Sequence, residues 1–284
     1  MKKKDNILLT IWRVVYRVFL VLLFLFPIAM LAWVAFKSAS DIALDILGLP
    51  KKWIGFENFA TAIDKMDFLV ALKNSLVVTS ASTVCLCIFS AMAAWVLVRH
   101  KTRKSNFIFM LFSVSMLIPF QCVMLPLMKI MGKFGIGQLG IDLMNQQGLI
   151  LAYIGFGSAM SIMLYHGFIK GIPVELEEAA AIDGCSTPGI FFRIVLPLLG
   201  PITTTVAIVN IMWIWNDYLL PSIVLSGKSD LRTLPLQTYK FFGSFTTNWG
   251  VAAAALILIM LPVIIFYIVA QKKIIKGVVD GAVK

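Results

Sequence analysis

Charge is scarce in this chain: Asp, Glu, Lys and Arg make up 14% of its 284 residues, 60% are hydrophobic, and the mean hydropathy is +0.92. A soluble domain needs about 25% charged residues to cover its surface, so a sizeable water-facing domain is excluded and the chain belongs in a bilayer. Cysteine is scarce too. Cys85, Cys87, Cys122 and Cys185 are too few for a disulfide framework, and three lie in or beside apolar runs, where a thiol acts as a small hydrophobe. The two histidines, His100 and His166, form no metal-ligand pattern with these scattered cysteines. No phosphate loop of the form G-x-x-x-x-G-K-[ST] occurs, so any ATP is hydrolysed by another chain. Gly155-Phe156-Gly157-Ser158 is not the G-x-S-x-G elbow of a serine hydrolase; its small residues read as helix-packing positions in a membrane. No catalytic residue, metal or cofactor is therefore expected. The net charge of +11 would suit nucleic acid, but the cations cluster between apolar runs, a pattern that orients a chain in lipid and leaves no nucleic-acid partner to expect.

What is present is a series of apolar runs, each long enough to cross roughly 30 Å of hydrocarbon. Six spans are predicted: Val14 to Phe36, Leu72 to Val98, Phe107 to Met131, Gly148 to Ile169, Pro201 to Leu225, and Val251 to Ala270. The runs lack the alternation of barrel strands, so the fold class is an all-α membrane protein, one transmembrane domain over 1–284 with kinks at its internal prolines. The basic start, Lys2 to Lys4, resembles a signal peptide, yet the following run contains Arg13 and Arg17 and no cleavage signal, so it is expected to be retained. Six spans put both termini on one side. Most of the 25 Lys and Arg fall there, including the purely basic stretch from Arg99 to Lys104 and Lys272, Lys273, Lys276 and Lys284. The positive-inside rule makes that side cytoplasmic.

This order makes residues 170–200 a cytoplasmic loop, and it breaks the basic trend with Glu175, Glu177, Glu178 and Asp183. Pro173 fits a first helical position, and the acidic residues in the first turns complement the positive helix end. Ala179, Ala180 and Ala181 propagate the helix, and Gly184 is a left-handed stop. Ser186 or Thr187 with Pro188 starts a second helix, ended by Pro197, with an apolar face of Ile190, Phe191, Ile194 and Val195.

Glu178-Ala179-Ala180, three residues, Gly184, nine residues, then Ile194-x-Leu196-Pro197 resembles the EAA loop of binding-protein-dependent ABC importer permeases in full spacing. Ile172-Pro173, Ile182-Asp183-Gly184, Trp215-Asn216-Asp217-Tyr218 and Lys276-Gly277 with Gly281-Ala282-Val283-Lys284 look like the carbohydrate branch, specifically the MalG-like subunit. Cys185 stands where that family usually has alanine, and is still small. The resemblance implies a type I permease fold with six transmembrane helices and a cytoplasmic EAA coupling helix. It implies a heteromeric sugar importer of the cell membrane, with a second, MalF-like permease subunit, cytoplasmic ATPase subunits that hold the loop, and an extracellular solute-binding protein. Glu177, Glu178, Ala179, Ala180, Asp183 and Gly184 are then the coupling residues.

Asp217 is the one acidic residue inside a predicted span, where ionisable groups mark a pathway by default. Thr203, Asn210, Trp213 and Asp217 share roughly one helical face, so Asn210, Trp213, Asn216 and Asp217 are candidates for lining a sugar pathway. The competing reading is that Asn216 and Asp217 hold neighbouring helices or cap a break before Pro221. An ion-coupled secondary transporter would call for several buried ionisable residues and internal repeats, and Asp217 alone qualifies. The aromatics Tyr239, Phe241, Phe242 and Phe245 in the loop Ser226 to Asn248 are expected to contact the binding protein or to sit at the membrane interface.

Overall fold

The computed structural model describes residues 7–132, 141–242 and 248–282, with the backbone alone for Ile7, Leu8 and residues 272–282. Lys2 to Lys4, Phe245 and Lys284 lie outside the described residues, so the expectations resting on them are not addressed by the structure.

In lipid each backbone N–H and C=O must find its partner within its own segment, which turns apolar runs into helices. In chain order these are α1 (Ile7–Ala35), α2 (Ala39–Leu44), α3 (Glu57–Lys65), α4 (Phe68–Arg99), α5 (Arg103–Ser115), α6 (Phe120–Met131), α7 (Gln146–Ile169), α8 (Glu175–Ile182), α9 (Thr187–Ile190), α10 (Leu196–Leu198), α11 (Gly200–Asn216), α12 (Leu219–Val224), α13 (Leu234–Thr238) and α14 (Trp249–Ala282). A π-helical turn, Phe191–Val195, joins α9 to α10. Among the described residues four helices, α1, α4, α7 and α14, are long and apolar enough to cross a membrane singly, and two bent pairs bring the number to as many as six.

The bent pairs differ from the continuous helices expected. The run Phe107 to Met131 is broken: α5 and α6 meet at 104°. Pro119 is the cause, because it disfavours helical backbone at Ile118 and itself caps α6 in an extended conformation, with ψ 139°. The run Pro201 to Leu225 is interrupted as well. There α11 stops at Asn216, Asp217 is extended at φ −74° and ψ 129°, and the chain resumes as α12. Asp217 therefore occupies a helix break and not a helix interior. Pro197 does not end its helix; the chain turns at Leu199, where the segment Thr187–Leu198 meets α11 at 78°. Pro27 and Pro262, in contrast, stay inside α1 and α14.

The chain forms two compact units. In the first, drawn from Met1–Leu69 and Gln237–Pro262, the turn after α1 is fastened by the buried Asn58, whose amide donates to the carbonyls of Ala35 (2.9 Å) and Lys37 (3.0 Å). Phe36 stacks on Trp53 with ring centroids 4.4 Å apart and meets Phe56 edge-on at 5.5 Å. Phe241, expected as an exposed anchor, is buried, whereas Tyr239 and Phe242 are exposed. In the second unit, drawn from Val70–Leu236 and Val263–Lys284, α7 is the hub and packs against α5, α11 and α12. Its core falls into two clusters. One gathers Ala91, Ala94 and Val98 of α4, Ile162, Tyr165 and Ile169 of α7, and Ile190, Phe191 and Val195 from the segment after α8. The other joins Val78 and Leu86 to Leu149, Tyr153, Ile214 and Leu220.

Candidate functional site

The loop that joins α7 to α11 is a built element. The turn opens at Val174, whose carbonyl accepts from the N–H groups of Glu177 and Glu178, so Pro173 stands just before the helix and not at its first position. At the other end Gly184 has φ +83°; its N–H donates to Ala181 and the N–H of Cys185 donates to Ala180, at 3.1 and 3.0 Å. This is the Schellman closure, which needs a left-handed residue at that point. Ser186 then caps α9, its hydroxyl accepting from the N–H of Gly189, with Pro188 in the first turn. Ile190, Phe191 and Val195 are buried, as the apolar face required.

The acidic residues divide between two faces. Glu177 is 8% exposed and its carboxylate accepts three hydrogen bonds: from Arg99 Nε at 2.9 Å, from Arg99 Nη2 at 2.7 Å, and from the indole N–H of Trp95 at 2.8 Å. Arg99 Nη2 also donates to the carbonyl of Ile172 at 3.0 Å. Ala180 is buried beside them. The opposite face carries Glu178, Ala179, Asp183 and Gly184, all exposed, with Ile182 at 87% exposure. Of the six coupling candidates, four thus face outward, while Glu177 and Ala180 face the helix bundle. Arg99 and Trp95 were not singled out by sequence, because a basic residue at a span end and a nearby tryptophan read as topology and interface markers.

The polar stripe on α11 faces α7. Tyr165 donates from its hydroxyl to Thr203 Oγ1 at 3.0 Å, and Asn210, 4% exposed, donates to Ser161 Oγ at 3.0 Å and to the carbonyl of Val206 at 2.8 Å. Trp213 meets Tyr153 edge-on at 5.4 Å, and the Tyr153 hydroxyl donates to Asp217 Oδ2 at 3.0 Å. The second oxygen of Asp217 accepts from the N–H of Leu219 at 2.9 Å and so caps α12. The α7 partners Tyr153, Gly157, Ser161 and Tyr165 recur every fourth residue, a one-face signal visible in the sequence. Asn216 stands apart, exposed, donating to the carbonyl of Met212 in its own helix. Trp213 and Asp217 also border an open cavity of about 300 Å³ at the α5–α6 break, together with Phe120, Gln121 and Phe156.

Away from the helices Lys228 pairs with Asp142 at 2.6 Å, and this bond, with the N–H of Met144, holds the Asp142 carboxyl below the usual aspartate range.

Residues 86–279 match the family model described as binding-protein-dependent transport system inner membrane component. The chain is 43% identical over 263 residues to the probable starch degradation products transport system permease protein AmyC of Thermoanaerobacterium thermosulfurigenes, covering 93% of each chain. It is 32% identical to the multiple sugar-binding transport system permease protein MsmG of Streptococcus mutans, covering 99% of this chain and 100% of that one. A chain from the crystal structure of a bacterial ABC transporter that imports the acidic polysaccharide alginate superposes with a TM-score of 0.75 at 21% identity, over 96% of this chain and 98% of that chain. The fold is that of a type I importer permease, and the chain belongs to the family of binding-protein-dependent transport system inner membrane components.

Proposed function

We propose that this permease forms half of the translocation pathway of an ATP-driven importer of sugars or oligosaccharides, and that α8 is the surface it offers to a cytoplasmic ATPase subunit. One observation carries the reading: α8 is pinned to the bundle by one face while the other leaves Glu178, Ala179 and Ile182 exposed among the described residues. Alanine permits close approach, Ile182 offers apolar area, and the Glu178 carboxylate can meet a cation on the ATPase. The sugar class is supported by relatives named for starch degradation products and for multiple sugars. A second permease, a binding protein outside and cytoplasmic termini complete the assembly. Trp213 and Asp217, with Phe120, Phe156 and Gln121, supply the wall of the pathway, aromatic faces beside a polar group being suited to hydroxyl-rich rings. Asn210 acts by joining α7 to α11.

The test is assembly and uptake. The complex containing Glu178→Lys should insert and pair with the second permease, yet lose associated ATPase and ATP-dependent uptake of labelled oligosaccharide into proteoliposomes. Wild-type uptake at equal expression would remove α8 as the docking element.

A further inference from the structure

The helix α4 links this docking element to the far end of its own unit. Its 32 residues contain neither proline nor glycine, whereas the other long spanning helices each contain one or the other. Kinks arise at such residues, and α4 runs unbroken over its whole length. One end holds α8: Glu177 bonds to Arg99 and Trp95, and Arg99 also bonds to Ile172. At the other end the Asn74 amide donates to the carbonyls of Asp230 (2.8 Å) and Arg232 (3.1 Å), and Ser75 Oγ accepts from the N–H of Leu234 at 2.8 Å. At 1.5 Å rise per residue the two sets of bonds lie roughly 36 Å apart along one helix. A buried carboxylate with three donors cannot leave them cheaply, so α8 is tied to α4, and the Asn74 and Ser75 bonds tie α4 in turn to the loop 230–234.

We propose that α4 is a rod carrying displacement between α8 and the loop 230–234, with Glu177 and Arg99 as positioning residues at one end and Asn74 and Ser75 at the other. The inference rests on the reading of α8 as the ATPase dock and of the loop Ser226 to Asn248 as the binding-protein contact. On this account binding-protein docking outside and ATPase closure inside influence each other through one helix, reciprocally, as linkage requires.

The test uses the complete complex in proteoliposomes, with Asn74→Ala, Glu177→Gln, Arg99→Gln and their combinations. Asn74→Ala, remote from the dock, should retain its ATPase subunits and basal hydrolysis, and in every variant stimulation of hydrolysis by loaded binding protein should fall by about ten-fold. Combining Asn74→Ala with Glu177→Gln should add no further loss, because a rod released at one end is already released. Unchanged stimulation in Asn74→Ala, or losses that simply add, would overturn the rod. If the single changes at Arg99 or Glu177 prevent insertion, the double Arg99→Gln with Glu177→Gln leaves no unpaired buried charge and serves in their place. Insertion without stimulation supports the proposal, and recovery of both would leave the pair a packing role and overturn it. Failure of the docking reading shows elsewhere, as wild-type complex without bound ATPase or Glu178→Lys with normal association.

Discussion

Neighbouring glutamates in α8 do opposite things, because a helix turns 100° per residue. Glu177 faces Arg99 and Trp95, and Glu178 faces out. Gly184 sets how the outward face is presented, since its φ of +83° closes α8 and directs the chain into α9. A Cβ placed there would meet nothing within 4 Å, so the cost of replacing it lies in the backbone alone. Gly184→Val should therefore strain the turn by about 1 kcal/mol or more, leaving insertion intact but lowering ATPase association and uptake. Gly184→Asn should retain most of both, because Asn tolerates the left-handed region. Equal uptake by the Val variant and wild type, measured at matched expression, would mean that the angle of this turn does not matter for docking.

At the scale of elements, the contact of α7 with α11 depends on Gly157, where an added Cβ would lie 2.8 Å from Leu86 Cδ1 and 3.0 Å from Asn210 Oδ1. Gly157→Val should overpack this three-helix contact by about 1–3 kcal/mol and lower the thermal unfolding midpoint of the detergent-solubilised protein; an unchanged midpoint would show that the helices can part without loss. Asn210→Leu should destabilise by about 1–3 kcal/mol, since it removes the buried donor to Ser161 Oγ, which keeps only its own bond to the Gly157 carbonyl. The Lys228–Asp142 ion pair gives a pH prediction. Because Lys228 lowers the Asp142 pKa in the folded state, its contribution is present above the ordinary value of 3.8 and is lost as pH falls below it through the depressed value. Lys228→Ala should move the Asp142 titration, followed by carboxyl NMR, back up toward that ordinary value.

At the scale of the whole molecule, the contacts pair loops that the six-span order puts on the same side. Arg99 meets Glu177, both expected inside, and Lys228 meets Asp142, both expected outside; Asn74, at the outer end of its predicted span, meets the loop 230–234. Cysteine-accessibility labelling should find position 101 inside and positions 52 and 228 outside, and the reverse pattern would invert the proposed orientation.

The helical class, the positions of the apolar runs and the helix–glycine–helix plan of the loop were all legible in the sequence, because each follows from local rules: hydropathy in lipid, proline and glycine at helix ends, and capping by Ser186. Tertiary structure alone decided which side of each helix meets a neighbour. The stripe Thr203, Asn210, Trp213 and Asp217 was visible as a face, but whether it lined a passage or met α7 depended on Tyr153, Ser161 and Tyr165, more than 35 residues away. The 104° break at Pro119 lay hidden for a related reason: proline tolerates either a kink or a corner in a membrane helix, and the surroundings select between them. Glu177 is the sharpest case. Its place in the motif gave it the same role as Glu178, and only the approach of Arg99, 78 residues earlier in the chain, made it a buried anchor, since a carboxylate can leave water where three donors already wait.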